Sequence, residues 1–160
     1  MGTPFSDIFE YFRVVTSDYR LDNIMAKDEK KFYTILRSFM TVGLPEFDCL
    51  KSLAYTSQEE VQDDGETVTR YYFVETLDDL EVMIISKIMA GVWFKRKIQD
   101  VRALEPYMSQ KEFKKESVNE NLKQKTNYFN DLISDYMADI RNYNGRHRNE
   151  LEGWGDNAWV

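Results

Sequence analysis

The chain has 160 residues, 42% hydrophobic and 14% aromatic, which is apolar enough to bury a core and too apolar for general disorder. A formal net charge of −7 argues against whole-surface attraction to nucleic acid phosphate and leaves a local basic patch or a surface that repels DNA. The single cysteine, Cys49, excludes an internal disulfide and reads as a small buried hydrophobe.

Phe5, Ile8, Phe9, Phe12 and Val15 recur at helical spacing, with Thr3 as the expected cap and Pro4 at the first helical position. The acids in this stretch do not fit a signal peptide. Thr16–Lys27 reads as a polar, turn-rich connection whose Tyr19, Leu21, Ile24 and Met25 pack on the body. A second helix from about Asp28 gathers Phe32, Ile35, Leu36, Phe39 and Met40 on one face, and Gly43 and Pro45 close it.

Residues 47–75 differ in kind. Leu50, Leu53 and Tyr55 form a weak apolar series, and Thr67–Val74 is rich in β-branched and aromatic residues. Between them QEEVQDDGE carries the turn signal Asp64-Gly65. The pattern predicts a β-hairpin or extended insertion with a solvated acidic tip, where Glu59, Glu60, Asp63 and Asp64 are candidate interaction residues. A calcium loop needs ligands on alternate positions with a glycine at the sixth and a glutamate at the twelfth, and that spacing is absent.

The next helix is the strongest signal in the chain. Thr76 with Asp79 three residues on is a carboxylate variant of the capping box. Leu77, Leu80, Ile84, Ile88 and Met89 make one apolar face, and Val82, Met83, Ile85, Val92, Trp93 and Phe94 cover most of the rest. A helix apolar nearly all round is buried on all sides. It is expected to be the central post, with Trp93 in the core. Lys87 interrupts its apolar run, which falls short of the roughly 20 residues a bilayer requires, so a soluble protein is expected.

Asp78, Asp79 and Glu81 read as first-turn carboxylates opposing the helix dipole. Lys95, Arg96, Lys97 and Arg102 follow, then Lys111, Lys114 and Lys115: cations that solvate the helix end, or a contact for DNA or an acidic partner. Pro106 sits where the helix must kink or stop. Ser109 with Glu112 is a capping box for a long last helix reaching about Tyr143, supported by Phe113, Leu122, Phe129, Leu132, Ile133, Tyr136, Met137 and Ile140. Asn144-Gly145 is its expected end.

Residues 1–145 therefore read as one helical domain. Residues 146–160, RHRNELEGWGDNAWV, hold two of the three tryptophans among glycines. They read as an extended arm that anchors in a neighbouring chain through Trp154 and Trp159, with Arg146 and Arg148 beside them. The fold class is mainly α: a helical bundle around a buried central helix, with a β-hairpin or extended insertion and an extended C-terminal arm.

Chemistry is sparse in this sequence. His147, the only histidine, stands between Arg146 and Arg148 without an orienting acid. There is no Gly-rich phosphate loop, nucleophile elbow, HExxH or CxxC spacing. The expectation is a non-enzyme with no catalytic, cofactor-binding or metal-binding residues and no cofactor. A small helical nucleic-acid-binding or regulatory interaction protein is the alternative, although no helix-turn-helix unit with a basic recognition helix is evident.

Leu77–Glu81 opening a buried helix, then Ile85–Met89, Trp93 and Lys97–Asp100, resemble the head-to-tail connector (neck or adaptor) proteins of tailed bacteriophages. The resemblance continues through Met108, Lys111–Phe113, Ser117, Asn121 and Leu122, so that Thr76–Tyr143 carries it. It implies a small helical structural subunit of the virion neck, between capsid and tail, made in the host cytoplasm. It further implies a ring of about twelve copies docked on the portal protein and offering a platform for tail or further neck proteins. Genomic DNA would pass through the channel without sequence-specific binding, and no membrane would be involved.

Overall fold

The computed structural model describes residues 2–17, 19–61, 65, 67–104 and 112–147. The first helix, α1, spans Phe5–Thr16 and buries Phe5, Ile8, Phe9 and Phe12, the residues its spacing marked. Its N-cap is Pro4, in extended conformation, and Thr3 does not cap it. Thr3 Oγ1 instead accepts from the N–H of Leu77 at 2.7 Å, so the first residues brace the entry to a helix far along the chain. Residues 19–27 are not a turn-rich connection. They form a second helix, α2 (Tyr19–Lys27), because Leu21, Ile24 and Met25 lie at i, i+3 and i+4 and dock on the following helix.

That helix, α3, runs Glu29–Gly43 from about where the sequence starts it, and Asp28 caps it by accepting from the Lys31 N–H at 2.9 Å. Gly43 has ordinary right-handed helical angles and is not a left-handed cap. It is buried against the central helix, where a Cβ would stand 2.6 Å from Ile88 Cγ2. It is thus a close-approach glycine, and a short 3₁₀ turn, Leu44–Glu46, follows it.

The insertion is a two-stranded antiparallel hairpin of β1 (Tyr55–Val61) and β2 (Thr67–Phe73). Its register runs unbroken from Tyr55↔Phe73 to Val61↔Thr67. Gly65 holds φ 82, the left-handed angle the turn needs and glycine adopts freely.

The central helix α4 spans Asp79–Leu104 and packs against α1, α3, the 3₁₀ turn and the last helix. Val82, Ile84, Ile85, Ile88, Met89 and Ala90 are all buried, so the post is where its composition places it. Buried Ser86 donates to the carbonyls of Ile8 and Val82, so α1 and α4 share a satisfied polar contact. The helix begins later than expected, and the capping box falls on Asp78 and Glu81 rather than on Thr76 and Asp79. The Asp78 N–H donates to Glu81 Oε2 at 2.8 Å and the Glu81 N–H to Asp78 Oδ1 at 2.9 Å.

Trp93 is only partly buried, not a core residue. At that turn Val92, Trp93 and Phe94 pack against the edge of the core, and the indole rests on Phe39 at 5.3 Å with the Lys97 ammonium 4.6 Å from its centroid.

The last helix, α5, spans Glu112–Arg146 and is about 50 Å long at 1.5 Å per residue. Its C-terminal half closes the core through Leu132, Tyr136, Ile140 and Tyr143, while residues 120–131 are mostly exposed or half-buried. Asn144-Gly145 does not end it. The packing of Ile140 and Tyr143 outweighs the roughly 1 kcal/mol helix penalty of a glycine. Among the described residues, no helix is long and apolar enough to cross a membrane. Pro106, Ser109, Asp63, Asp64, Arg148, Trp154 and Trp159 lie outside the described residues, as does the C-terminal arm from residue 148 onward.

Candidate assembly hairpin and the polar clasp at its base

The hairpin is rooted at one end and exposed at the other. At its root Phe73 is buried, and the Phe5 ring meets Phe73 at 4.9 Å, Tyr55 at 5.4 Å and Tyr71 at 5.8 Å. Farther out, every residue of β1 is exposed and β2 loses burial toward Thr67. A lone two-stranded ribbon is marginally stable in water, so this root holds it to the body.

The two edges of the ribbon differ. The Val74 N–H donates to the Ala54 carbonyl at 2.9 Å, which makes 54 and 74 a hydrogen-bonded pair. By strict alternation Tyr55, Ser57, Glu59 and Val61 then turn their backbone groups away from β2, toward an edge nothing covers among the described residues. On the other side, the Phe73 N–H donates to the Thr3 carbonyl at 2.8 Å and Pro4 bridges Tyr72. Residues 3 and 4 therefore close the outer edge of β2 near its root, and nothing among the described residues covers Thr67–Arg70. Glu60 pairs with Arg70 across the face of the ribbon, both side chains well exposed.

At the base of the hairpin lies a polar cluster centred on Glu81, whose side chain is 1% exposed. Glu81 Oε2 accepts from Lys51 Nζ at 2.7 Å and from the Asp78 N–H; Oε1 accepts from the Tyr143 hydroxyl at 2.8 Å and the Cys49 thiol at 3.4 Å. The Tyr143 oxygen in turn accepts from the Leu50 N–H at 3.1 Å. One carboxylate so ties the start of α4, the end of α5 and the strand-approach segment 49–51. Nearby, the Ser52 N–H donates to Glu75 Oε1 at 3.0 Å, which closes the segment over the root of the hairpin.

Burial alone would raise the Glu81 carboxyl, but the bonds from Lys51, Asp78, Tyr143 and Cys49 outweigh it and hold it below the ordinary carboxylate value. The bond to Glu81 is the main reason the Lys51 ammonium is raised. Burial pushes the Cys49 thiol up to about 11. Burial, then its bonds with Cys49 and Glu81, likewise raise the Tyr143 hydroxyl. A thiol held protonated is a poor nucleophile, and a carboxylate with both oxygens engaged is a poor base. This arrangement is a clasp.

Of the candidate interaction residues, Glu59 and Glu60 are consecutive on exposed β1 and face opposite sides of the ribbon, and Arg146 is exposed in the last turn of α5, opposite the helix dipole. The two groups are not one site. His147 sits with its ring 4.8 Å from that of Tyr143. In the basic stretch Lys95 is exposed, the Arg96 guanidinium lies 6.0 Å from the Phe39 ring, and Lys97 lies on Trp93. Sequence reasoning missed Glu81 and Tyr143 as a unit. The Asp78-x-x-Glu81 spacing was the available local sign, but nothing local signals that Tyr143 reaches back to it.

No family model, no curated protein and no solved structure matches this chain.

Proposed function

We propose that the protein is a structural ring subunit of the head-to-tail connector of a tailed bacteriophage. In this reading it docks on the portal protein, extends the DNA channel and carries tail or further neck proteins. The observation that carries the reading is the pairing of a rigid body with an unlike projection: a bundle locked around α4, and a hairpin standing off it with β1 exposed along its whole length. Rings are built from heterologous contacts, in which each copy presents two different surfaces, and a ribbon with two unlike edges suits that requirement. The residues of the resemblance support it too. Ile85, Ile88 and Met89 form the buried heart of α4, while on α5 Asn121 is exposed and Leu122 half-buried.

A net charge of −7 suits a channel through which DNA slides without being held. The nucleic-acid-binding alternative has less support, since Arg96 and Lys97 of the basic stretch lie against aromatic rings. A structural rather than catalytic role follows the clasp, whose groups are engaged with one another.

The test is mass measurement of the purified protein, alone and mixed with a portal ring, with electron microscopy of the mixture. Multi-subunit rings, or subunits decorating the portal, are the expected result. A protein that stays monomeric in both samples refutes the proposal.

A further inference from the structure

We infer that the open edge of β1 pairs with the open edge of β2 in a second copy of this chain, so that one antiparallel sheet continues from subunit to subunit. The inference rests on the ring reading and names its contact. An exposed strand edge is a template for another strand, and proteins usually blunt such edges with lysine, proline, a bulge or a cover. Among the described residues β1 has no lysine, proline, bulge or cover, and its only charges are Glu59 and Glu60: it runs seven residues, YTSQEEV, in unbroken register. Its outward groups at Tyr55, Ser57, Glu59 and Val61 match in kind the outward groups of β2 at Thr67 and Thr69.

Charge selects β2 as the occupant. Two β1 strands side by side would align two glutamates from each with no basic residue between them. β2 carries Arg70 and no acid. Outward positions can pair only with outward positions, and that parity puts Glu60 of one copy on the same sheet face as Arg70 of the next. Pro4 and Thr3 close the rest of β2's outer edge, so the added strand can occupy only the outer part of the ribbon. β1 and β2 are different surfaces, so the contact is head-to-tail, the kind that makes a ring when the rotation between copies closes.

The test uses two full-length variants, Glu60→Lys and Arg70→Glu, each of which breaks the internal Glu60–Arg70 pair. Each alone should keep the wild-type helical circular dichroism and fall to monomer mass. Mixed one to one, they should assemble again, because the lysine introduced at position 60 of one meets the glutamate introduced at position 70 of the other. The internal pair stays broken in both, so restored mass can come only from a contact between copies. Ser57→Pro, which removes an outward N–H and no bond within the ribbon, should also give monomers.

If the wild type forms rings and all three variants form them equally well, the strand contact is wrong and the ring reading stands. Folded variants that fail to recover on mixing also overturn it. A wild type that never exceeds monomer mass removes both.

Discussion

Replacing Glu81 by alanine tests whether the clasp holds the fold or merely caps a helix. The substitution leaves Lys51, Tyr143, Cys49 and the Asp78 N–H without their shared acceptor. Breaking a buried pair by removing one partner costs about 3–5 kcal/mol. The Lys51 side chain is 31% exposed and can turn to water, which places the expected loss near the lower end, at about 3 kcal/mol. For a domain of this size that loss corresponds to a drop in Tm of about 6–12 °C.

A capping role alone predicts less, about 0.5–2 kcal/mol, and Asp78→Ala should show that smaller loss. Thermal melts followed by circular dichroism, with urea titrations for free energies, separate the two. Tyr143→Phe should cost about 1–3 kcal/mol, because the Leu50 N–H loses its acceptor, and it should couple to Glu81→Ala by at least about 0.5 kcal/mol in a double-mutant cycle. If Glu81→Ala melts within about 2 °C of wild type, or if the two losses simply add, three segments do not meet on this carboxylate and the reasoning fails.

Gly43→Ala should destabilise by about 1–3 kcal/mol in urea titration, because the new Cβ meets Ile88 Cγ2 at 2.6 Å; an alanine gain from helix propensity would refute the close approach. Trp93→Ala should cost about 2 kcal/mol, below the roughly 3–5 typical of a fully buried aromatic, since the indole is only partly buried against Phe39. Stability against pH should form a plateau with two shoulders, read by melts across a pH series. Glu81 titrates lower in the fold than unfolded, so its contribution is complete above about 4.5 and is lost as pH falls through the depressed value. Cys49 titrates higher in the fold, so its contribution is complete below 9.0 and is lost as pH rises toward about 11, with the raised Lys51 acting in the same direction. Cys49→Ser should soften the alkaline shoulder and leave the acid one in place.

What was legible in the sequence is what neighbouring residues decide. The apolar circumference of α4, the apolar face of α3 and the β-branched run of β2 are local signals, and each names its element. The readings that failed were decided elsewhere in the chain. Thr3 looks like the cap of α1, yet its hydroxyl serves Leu77, and no spacing near Thr3 shows this. Gly43 does end α3, though as a contact point for Ile88 and not as a left-handed cap, and Gly145 looks like a helix end but is carried through by the packing of Tyr143. Trp93 stands in an apolar run, and only its place at the edge of the core, against Phe39, makes it peripheral.

Glu81 is the clearest case. Its charge in a first helical turn fits the macrodipole, and that local reading holds as far as it goes. Its burial depends on Lys51, thirty residues earlier, and on Tyr143, sixty-two residues later. The separation has a consequence for function. Because the clasp fixes the root of the hairpin from below, the outer ribbon contributes little to holding the fold. It is therefore free to keep an acidic strand on the surface that nothing among the described residues covers, the edge to which the proposed neighbour would add.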